Sequence, residues 1–437
     1  MKRLLTVCLL VSAGVSVASG QTPPLRLSLQ DSIERGLAAN PRLDELRARQ
    51  DAARAVEGQH EAEERPQLAA LASYTRTNHV EEFAVPNVGG GLRVIYPDIP
   101  NHLHSRIDLQ WPIYTGGRLK ALTRAAGAEA NALEQDREAA RADLKFEITR
   151  AFWAVVTARA SSDVLRQALE RTNAHLTDVR NQLSVGLVPP SDVLTIEAQH
   201  ARQQMLSIEA ESLIETTTAE FKRLVGVDQD VTVELVPVTS NPMAAPFDAV
   251  AVTDLRPDRP ERKSLLFRIA VAEERVSAAS AGSLPVLTTV AGYDMARPNQ
   301  KVFPIQEKWQ PSWDIGIHVR WSFFDGGRAR AETAEAAATQ RAIEARLRDF
   351  DAVVQVEVRQ RMAEVKSASA AIDAGVAGVR AATEARRVIA ERFSAGVATN
   401  TDVLNAQTAL LQAELDVTRA RANAELASAG LMRALGR

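Results

Sequence analysis

Two stretches of this chain, Arg118 to about Leu183 and Arg328 to about Phe393, run for about 65 residues each without a proline, with apolar residues at helical spacing. In the first, the apolar positions include Leu119, Leu122, Ala126, Leu133, Leu144 and Ile148. A helix of ~65 residues at ~1.5 Å rise is ~100 Å long. No globular core is that deep, so such helices must pack lengthwise on one another, as in a coiled coil. Aromatic residues make up 5% of the chain and charged residues 24%. That composition suits long helices better than a large aromatic core.

Each long helix follows a strand. Ser105 to Ile113 alternates, with Ile107, Leu109, Trp111 and Ile113 on one face and Arg106, Asp108 and Gln110 on the other. Trp313 to Phe323 does the same: Trp313, Ile315, Ile317, Val319, Trp321 and Phe323 oppose Asp314, His318, Arg320 and Ser322. The switch from strand to helix is WPIYTGGR at Trp111–Arg118 and WSFFDGGR at Trp321–Arg328. Trp111 and Trp321 lie 210 residues apart, as do Gly116 and Gly326, Gly186 and Gly396, Asp192 and Asp402, and Gly226 and Gly436. Upstream the spacing is 219, as in Pro41 to Pro260, Pro66 to Pro285 and Tyr74 to Tyr293. The nine-residue difference falls between Tyr74 and Trp111, so the first loop is longer, as loops tolerate. The chain is one unit used twice, with a period far beyond solenoid repeats.

The organisation follows from these landmarks. Lys2 and Arg3, an apolar Leu4–Val17 and small residues at Ala18-Ser19-Gly20 read as a signal peptide over residues 1–20, cleaved before Gln21. Its apolar core is shorter than the ~20 residues of a membrane span. The only cysteine, Cys8, falls inside it. Loss of Lys2 and Arg3 leaves 50 basic against 55 acidic side chains, a net charge near −5, and nothing points to nucleic acid. Residues 21–225 form repeat 1: a short amphipathic segment from Leu25 to Asn40, a helix opened by Pro41, a β-hairpin 67–113, the long helix 118–185 and a return helix 191–225. Within the hairpin, Val80 to Asn101 is rich in Gly and Pro and reads as an exposed loop. Residues 226–259 form a linker with a β-like VTVELV run. Residues 260–437 form repeat 2: a helix, a hairpin 285–324, the long helix 328–395 and a return helix 400–435.

After Gln21 there is no run of 18 apolar residues, so an exported chain of this kind is either soluble or enters a membrane as a β-barrel. The strands' apolar faces, rich in aromatics, fit a lipid-facing wall opposite a polar lumen. Each repeat supplies two such strands, four per chain. Four strands cannot close a barrel, and open edges are not tolerated in lipid, so the barrel must be shared. A dimer gives eight strands with a filled interior; a trimer gives twelve, enough for a pore.

On these residues the chain resembles the TolC-like outer-membrane efflux family across its whole mature length. The most specific features are the paired Gly-Gly-Arg junctions and the paired helix-tip sequences SVGLVPPSDVL (Ser184–Leu194) and SAGVATNTDVL (Ser394–Leu404). The resemblance implies a mainly α protein with a β-barrel part. It would be a homotrimer whose shared twelve-stranded barrel spans the outer membrane and continues into a coiled-coil α-barrel across the periplasm of a Gram-negative envelope. The linker would form an equatorial belt. The helix tips would meet a periplasmic adaptor, itself coupled to an inner-membrane pump of RND, ABC or MFS type. The implied function is passive conduction for efflux or export, with no enzyme activity, no cofactor and no metal.

Candidate functional residues sit at two levels. At the tips, Asp402 and Asn405 share a helix face at i and i+3. In the resembled family, acidic residues at these positions narrow the periplasmic entrance; Asp402 matches, and Asn405 replaces a second carboxylate. A ring of three Asp favours cations. Asp402 and its repeat mate Asp192 equally suit the start of a helix, where an acid opposes the dipole. Gly186-Leu187 and Gly396-Val397 form the tip turns. Gly there simply ends a helix, while the exposed apolar neighbour offers an adaptor contact. A Tyr and an Arg often hold the family's closed state; here Phe393 and Ala398 stand in their places. At the other level, Gly116, Gly117, Gly326 and Gly327 serve as strand-to-helix hinges, and Trp111 and Trp321 fit an interfacial aromatic girdle. The functional tips would thus lie ~100 Å from these hinges.

His102-x-His104 lacks acidic or cysteine partners nearby and reads as loop-proximal polar residues. No nucleophile elbow, phosphate loop or zinc signature occurs. A soluble periplasmic coiled-coil adaptor or structural protein explains the helices and the leader, but not two aromatic hairpins set between helix pairs.

Overall fold

The computed structural model describes residues 24–236 and 259–436. The expected signal peptide and most of the expected linker lie outside them. The described chain is mainly helical. Its elements are β1 (Leu25–Leu27), α1 (Leu29–Ala39), α2 (Pro41–Glu63), β2 (Gln67–Arg76), β3 (Phe83–Pro86), β4 (Leu92–Tyr96), β5 (Asn101–Tyr114), α3 (Arg118–Ser184), α4 (Pro190–Val225), β6 (Val233–Leu235), α5 (Pro260–Ser280), β7 (Val286–Arg297), β8 (Gln310–Arg320), α6 (Arg328–Ser394) and α7 (Asn400–Ala434). Prolines open α2, α4 and α5, where a missing N–H is harmless and φ is preset. The chain divides into two compact units, with α3, α6 and α7 contributing to both.

In the first unit, α1 begins at a capping box. Ser28 Oγ accepts from the Asp31 N–H, and Asp31 Oδ2 accepts from the Ser28 N–H, both at 3.1 Å. Gly36 then lets α1 close on its neighbours: a Cβ there would collide with Ile148 Cδ1 of α3 and come 3.1 Å from the Leu224 carbonyl of α4. Around that contact Ile148, Phe152, Phe221 and Val225 are fully buried. The rings of Phe152 and Phe221 meet edge to face at 6.1 Å. Gly226, at φ 68°, ends α4 in the left-handed region. The β-like run after it becomes β6 and pairs in parallel with β1, Leu25 beside Val233 and Leu27 beside Leu235.

The second unit is built on an antiparallel sheet of order β2-β5-β7-β8. The two hairpins, β2/β5 and β7/β8, join through β5 and β7, which leaves β2 and β8 at the edges. In the same unit, Val354 and Val358 of α6 pack on Leu431, Ala434 and Leu435 at the end of α7. Buried Arg259 closes that end. Its Nε donates to the Ala434 carbonyl at 2.8 Å and its Nη1 to Glu357 at 3.0 Å, so an orphan helix carbonyl is satisfied by a paired cation. Arg433 likewise bridges Asp143 at 2.7 Å and Glu261.

Three strand-level expectations change. Residues 80–101 are not a plain loop, because β3 and β4 pair there as a separate antiparallel ribbon. The second hairpin's closing strand ends at Arg320, so Trp321 and Phe323 lie beyond it. The reason is register: Arg320 pairs with Val286, the first residue of β7, and among the described residues β8 has no strand on its other side. Finally, the ladder of β5 passes over Ile113, so that Pro112 pairs with Thr288 and Tyr114 with Leu287. Pro112 has no N–H to donate, and a bulge absorbs the gap.

Truncating Phe221 to Ala should destabilise the purified protein by about 3–5 kcal/mol, the range for removing a buried aromatic ring. The check is its thermal unfolding midpoint; an unmoved midpoint would place the Phe152–Phe221 contact outside the stability-determining core.

Candidate functional site

The helix tips belong to the first unit. Both turns solve the same problem, reversing the chain while satisfying the last helix carbonyls. In the first, the Gly186 N–H donates to the Leu183 carbonyl and the Leu187 N–H to the Gln182 carbonyl, both at 2.9 Å. In the second, Gly396 donates to Phe393 at 3.0 Å and Val397 to Arg392 at 2.8 Å. This paired pattern is the Schellman motif, and it places Gly186 at φ 76° and Gly396 at φ 73°. Leu187 and Val397 follow each glycine with 74% and 66% of their surface exposed. Val185 and Leu194 stand exposed near Leu187 in the first tip's sequence. Each tip is thus a hydrogen-bonded turn that presents apolar side chains to solvent.

The two helix starts differ. Thr399 caps α7: its N–H and Oγ1 both donate to Asp402 Oδ2, at 2.8 and 2.7 Å, and Oγ1 lies 3.2 Å from the Asp402 N–H it caps. The backbone and hydroxyl of Thr399 hold the Asp402 carboxyl below its ordinary range. In α4 the capping position is Pro189, with no side-chain cap bond. Asp192 is accordingly not drawn into a box; its carbonyl accepts from Asn400 Nδ2 at 3.2 Å. Asn405 is exposed.

Asn400 leads to residues that sequence reasoning missed. It is buried, and its Oδ1 stands 2.7 Å from Nε2 of buried His175. The His175 ring meets Phe393 edge to face at 5.4 Å. Phe393 in turn packs on a cluster of Leu176, Val179, Val193, Ile196 and Leu404. A polar chain therefore runs from the Asp192 carbonyl through Asn400 to His175, ties α3, α4 and α7 together, and ends on an aromatic face. The available signal was His175 set among the apolar positions Leu169, Leu176 and Val179, where a polar residue needs a partner.

In the second unit, all four junction glycines have positive φ: 65° and 84° at Gly116 and Gly117, 69° and 89° at Gly326 and Gly327. L-residues with a Cβ rarely adopt these angles. A Cβ on Gly116 would also come 2.9 Å from Leu284 Cβ. Asp325 starts α6 by accepting from the N–H groups of Gly327 at 2.9 Å and Ala329 at 2.8 Å, and these bonds hold its carboxyl below the ordinary range. Trp111 and Trp321 are both exposed, and Trp321 Nε1 donates to the Ser283 carbonyl at 3.2 Å. The sheet's apolar row of Trp313, Ile315, Ile317 and Val319 is 65–73% exposed. Contrary to the expectation that the His102-x-His104 pair lacks an acidic neighbour, His104 Nε2 lies 2.7 Å from Asp294 Oδ1, which β7 brings alongside β5; among the described residues no group of three or more His, Cys, Asp or Glu side chains could hold a metal ion. Nor is any described helix long and apolar enough to cross a membrane.

The profile of a family described as outer membrane efflux protein matches residues 32–227 and 253–437. Protein CyaE of Bordetella pertussis is 25% identical over 333 residues, covering 74% of this chain and 70% of that protein. Outer membrane protein TolC of Vibrio cholerae is 24% identical over 326 residues, covering 71% and 72%. Among solved structures, that of the outer membrane protein VceC from Vibrio cholerae superposes with a TM-score of 0.78 at 22% identity, covering 93% of this chain and 96% of that one. At that identity the structural likeness is one of fold.

Replacing Thr399 by Ala should weaken the start of α7 by about 1 kcal/mol, roughly fivefold in local hydrogen exchange at the Asp402 and Val403 amides. Because folding lowers the Asp402 pKa, the carboxylate's contribution to the cap is present above the unfolded carboxylate value of about 3.9 and is lost as pH falls through the folded value. Exchange corrected for intrinsic rates should show the difference between the wild-type and Thr399→Ala proteins at neutral pH and a smaller one in acid, where only the bond from the Asp402 N–H to Thr399 Oγ1 remains; equal protection at neutral pH would refute the cap.

Proposed function

The chain belongs to the outer membrane efflux protein family, and from that premise we propose that three copies close one pore through which substrates leave the cell. It is an outer-membrane channel for efflux or secretion. The observation that carries the trimer is the sheet of the second unit: four antiparallel strands, one apolar exposed face, and two unpaired edges, β2 and β8. Backbone groups on such edges must be paired in hydrocarbon. Joining β8 of one copy to β2 of the next closes a ring, and three copies give twelve strands. Each hairpin runs through a Gly-Gly turn into a 67-residue helix, and the copies' helices would form the α-barrel of the periplasmic part. The duplicated unit supplies two helix pairs per chain to that wall.

In this reading the protein does no chemistry. Trp111 and Trp321 sit at the lipid interface, the four junction glycines turn tilted strands into helices, and Asp402, Asn405 and Asp192 ring the periplasmic entrance. Leu187 and Val397 dock a periplasmic adaptor that couples the channel to an inner-membrane pump of RND, ABC or MFS type. With Phe393 and Ala398 in place of the Tyr and Arg of many relatives, the packing of Phe393 on His175 holds the tip instead. A soluble periplasmic adaptor is the poorer reading, since it would leave the Trp313–Val319 row in water.

Leu187→Asp combined with Val397→Asp should abolish export, measured as drug or substrate sensitivity in a strain lacking the wild-type gene, with trimer and outer-membrane content unchanged. Undiminished export by that variant would remove the tips from the adaptor interface. Recovery of the wild-type protein as a soluble monomer, rather than as a trimer in outer-membrane fractions, would overturn the channel reading itself.

A further inference from the structure

On the polar face of the sheet, one arginine spans three adjacent strands. Register sets Arg106 of β5 beside Asp294 of β7, and Gly292 of β7 beside Asp314 of β8. Arg106 Nη1 donates to Asp294 Oδ2 at 2.6 Å and to Asp314 Oδ1 at 2.9 Å, Nη2 to Asp314 Oδ2 at 3.1 Å, and Nε to Asp108 at 2.5 Å. Its guanidinium reaches β8 by passing over Gly292, where a Cβ would collide with Nη2. Any Cβ there would force the guanidinium to shift.

The connection between β7 and β8 folds onto this bridge. Lys301 Nζ donates to Asp294 Oδ2 and to Asp314 Oδ1, both at 2.6 Å. Buried Asn299 fixes the base of the connection: Nδ2 donates to the Gln310 carbonyl at 2.9 Å and to Ser312 Oγ at 3.0 Å, and Oδ1 accepts from the Lys301 N–H at 2.9 Å. His104 Nε2 lies 2.7 Å from Asp294 Oδ1. Under these contacts Asp294 is only 3% exposed. A cavity of about 460 Å³ lies beside them, lined in part by Ser73, Thr75, His102 and Lys301.

The charges explain why the connection lies where it does. Asp108, Asp294 and Asp314 face a single guanidinium, and two of them flank Gly292 with no side chain between. A second cation is needed to offset their repulsion, and it comes from the connection itself. This segment is also at the far end of the sheet from the glycine junctions, because β7 follows α5 and β8 leads toward α6.

We propose that the β7–β8 connection is a strap, pinned by Lys301 across Asp294 and Asp314, that narrows the outer mouth of the pore until those ion pairs are released. The proposal rests on the channel reading, which turns the polar face to the lumen and this end of the sheet to the outside. Freed from Lys301, the strap swings from the polar face and the mouth widens for the departing substrate.

The test uses the full-length protein in intact cells. The chain's only cysteine, Cys8, lies in the expected leader, so His318→Cys places a single thiol on the polar face of β8, deeper than the strap. A maleimide-bearing polymer too bulky to enter the periplasm is added outside, and the labelling rate is read. Adding Lys301→Ala should raise that rate about tenfold, in proportion to the open fraction. Lys301→Arg should leave it near the starting value. Equal rates with Lys301 and Lys301→Ala, or no labelling of either, would overturn the strap, provided each variant is recovered as an outer-membrane trimer. Absence of the His318→Cys protein itself from the outer-membrane fraction would instead overturn the channel reading beneath it.

Discussion

Unpaired backbone at a sheet edge is the constraint on which the rest of this molecule depends. A strand edge in water is a liability, and in hydrocarbon it is forbidden. The sheet of β2, β5, β7 and β8 has two such edges and one strongly apolar face. A helix laid over that face would have solved burial, but the aromatic row of β8 stays exposed. What remains is lipid for the face and further copies of the chain for the edges. The shared barrel proposed above meets both demands. The glycine pairs turn the chain from sheet to helix, and left-handed φ at both positions of each pair allows it.

The two halves share the 210-residue spacing of their landmarks, and they differ at the helix starts. Thr399 caps α7 while Pro189 opens α4; Asp325 accepts two N–H groups at the start of α6, while Thr115 Oγ1 accepts from Leu119 at a long 3.5 Å. Helix starts can be satisfied in several ways, so the two halves need not agree there. The polar face is a sharper case. Arg106 crosses the seam between the two halves to reach Asp294 and Asp314 over Gly292, whereas the Lys301 bonds to the same carboxylates lie within the second half.

The long helices, their breaks and the β5 and β8 strands were legible because they are local: periodicity, proline and Gly-Gly announce them within a few residues. Least legible were contacts set by distant partners. Three residues such as Leu25–Leu27 carry no strand signal by themselves; they become a strand because Val233–Leu235 lies alongside. The β3–β4 ribbon hides in a glycine-rich segment for a similar reason. At the tips, the turn glycines and exposed Leu187 and Val397 were readable, since Gly after a long helix marks a C-cap. His175 and Asn400 were not, because each looks like an ordinary polar residue until the other is 2.7 Å away. Trp321 misled in the opposite sense: alternation continued in the sequence after the register had run out of partners.

The two readings of Asp402, helix cap and entrance charge, make no competing demand on it. A cap engages the carboxylate through hydrogen bonds that favour its ionised form, and the same bonds lower its pKa. Both Thr399 bonds fall on Oδ2, and the side chain remains exposed. Capping therefore fixes the position of a negative charge without neutralising it, which is what a ring of charge at an entrance requires. Asp192 shows the contrast: with Pro189 before it, no cap bond holds its side chain. Asp402 is thus an oriented carboxylate, while the Asp192 backbone serves the His175–Asn400 link.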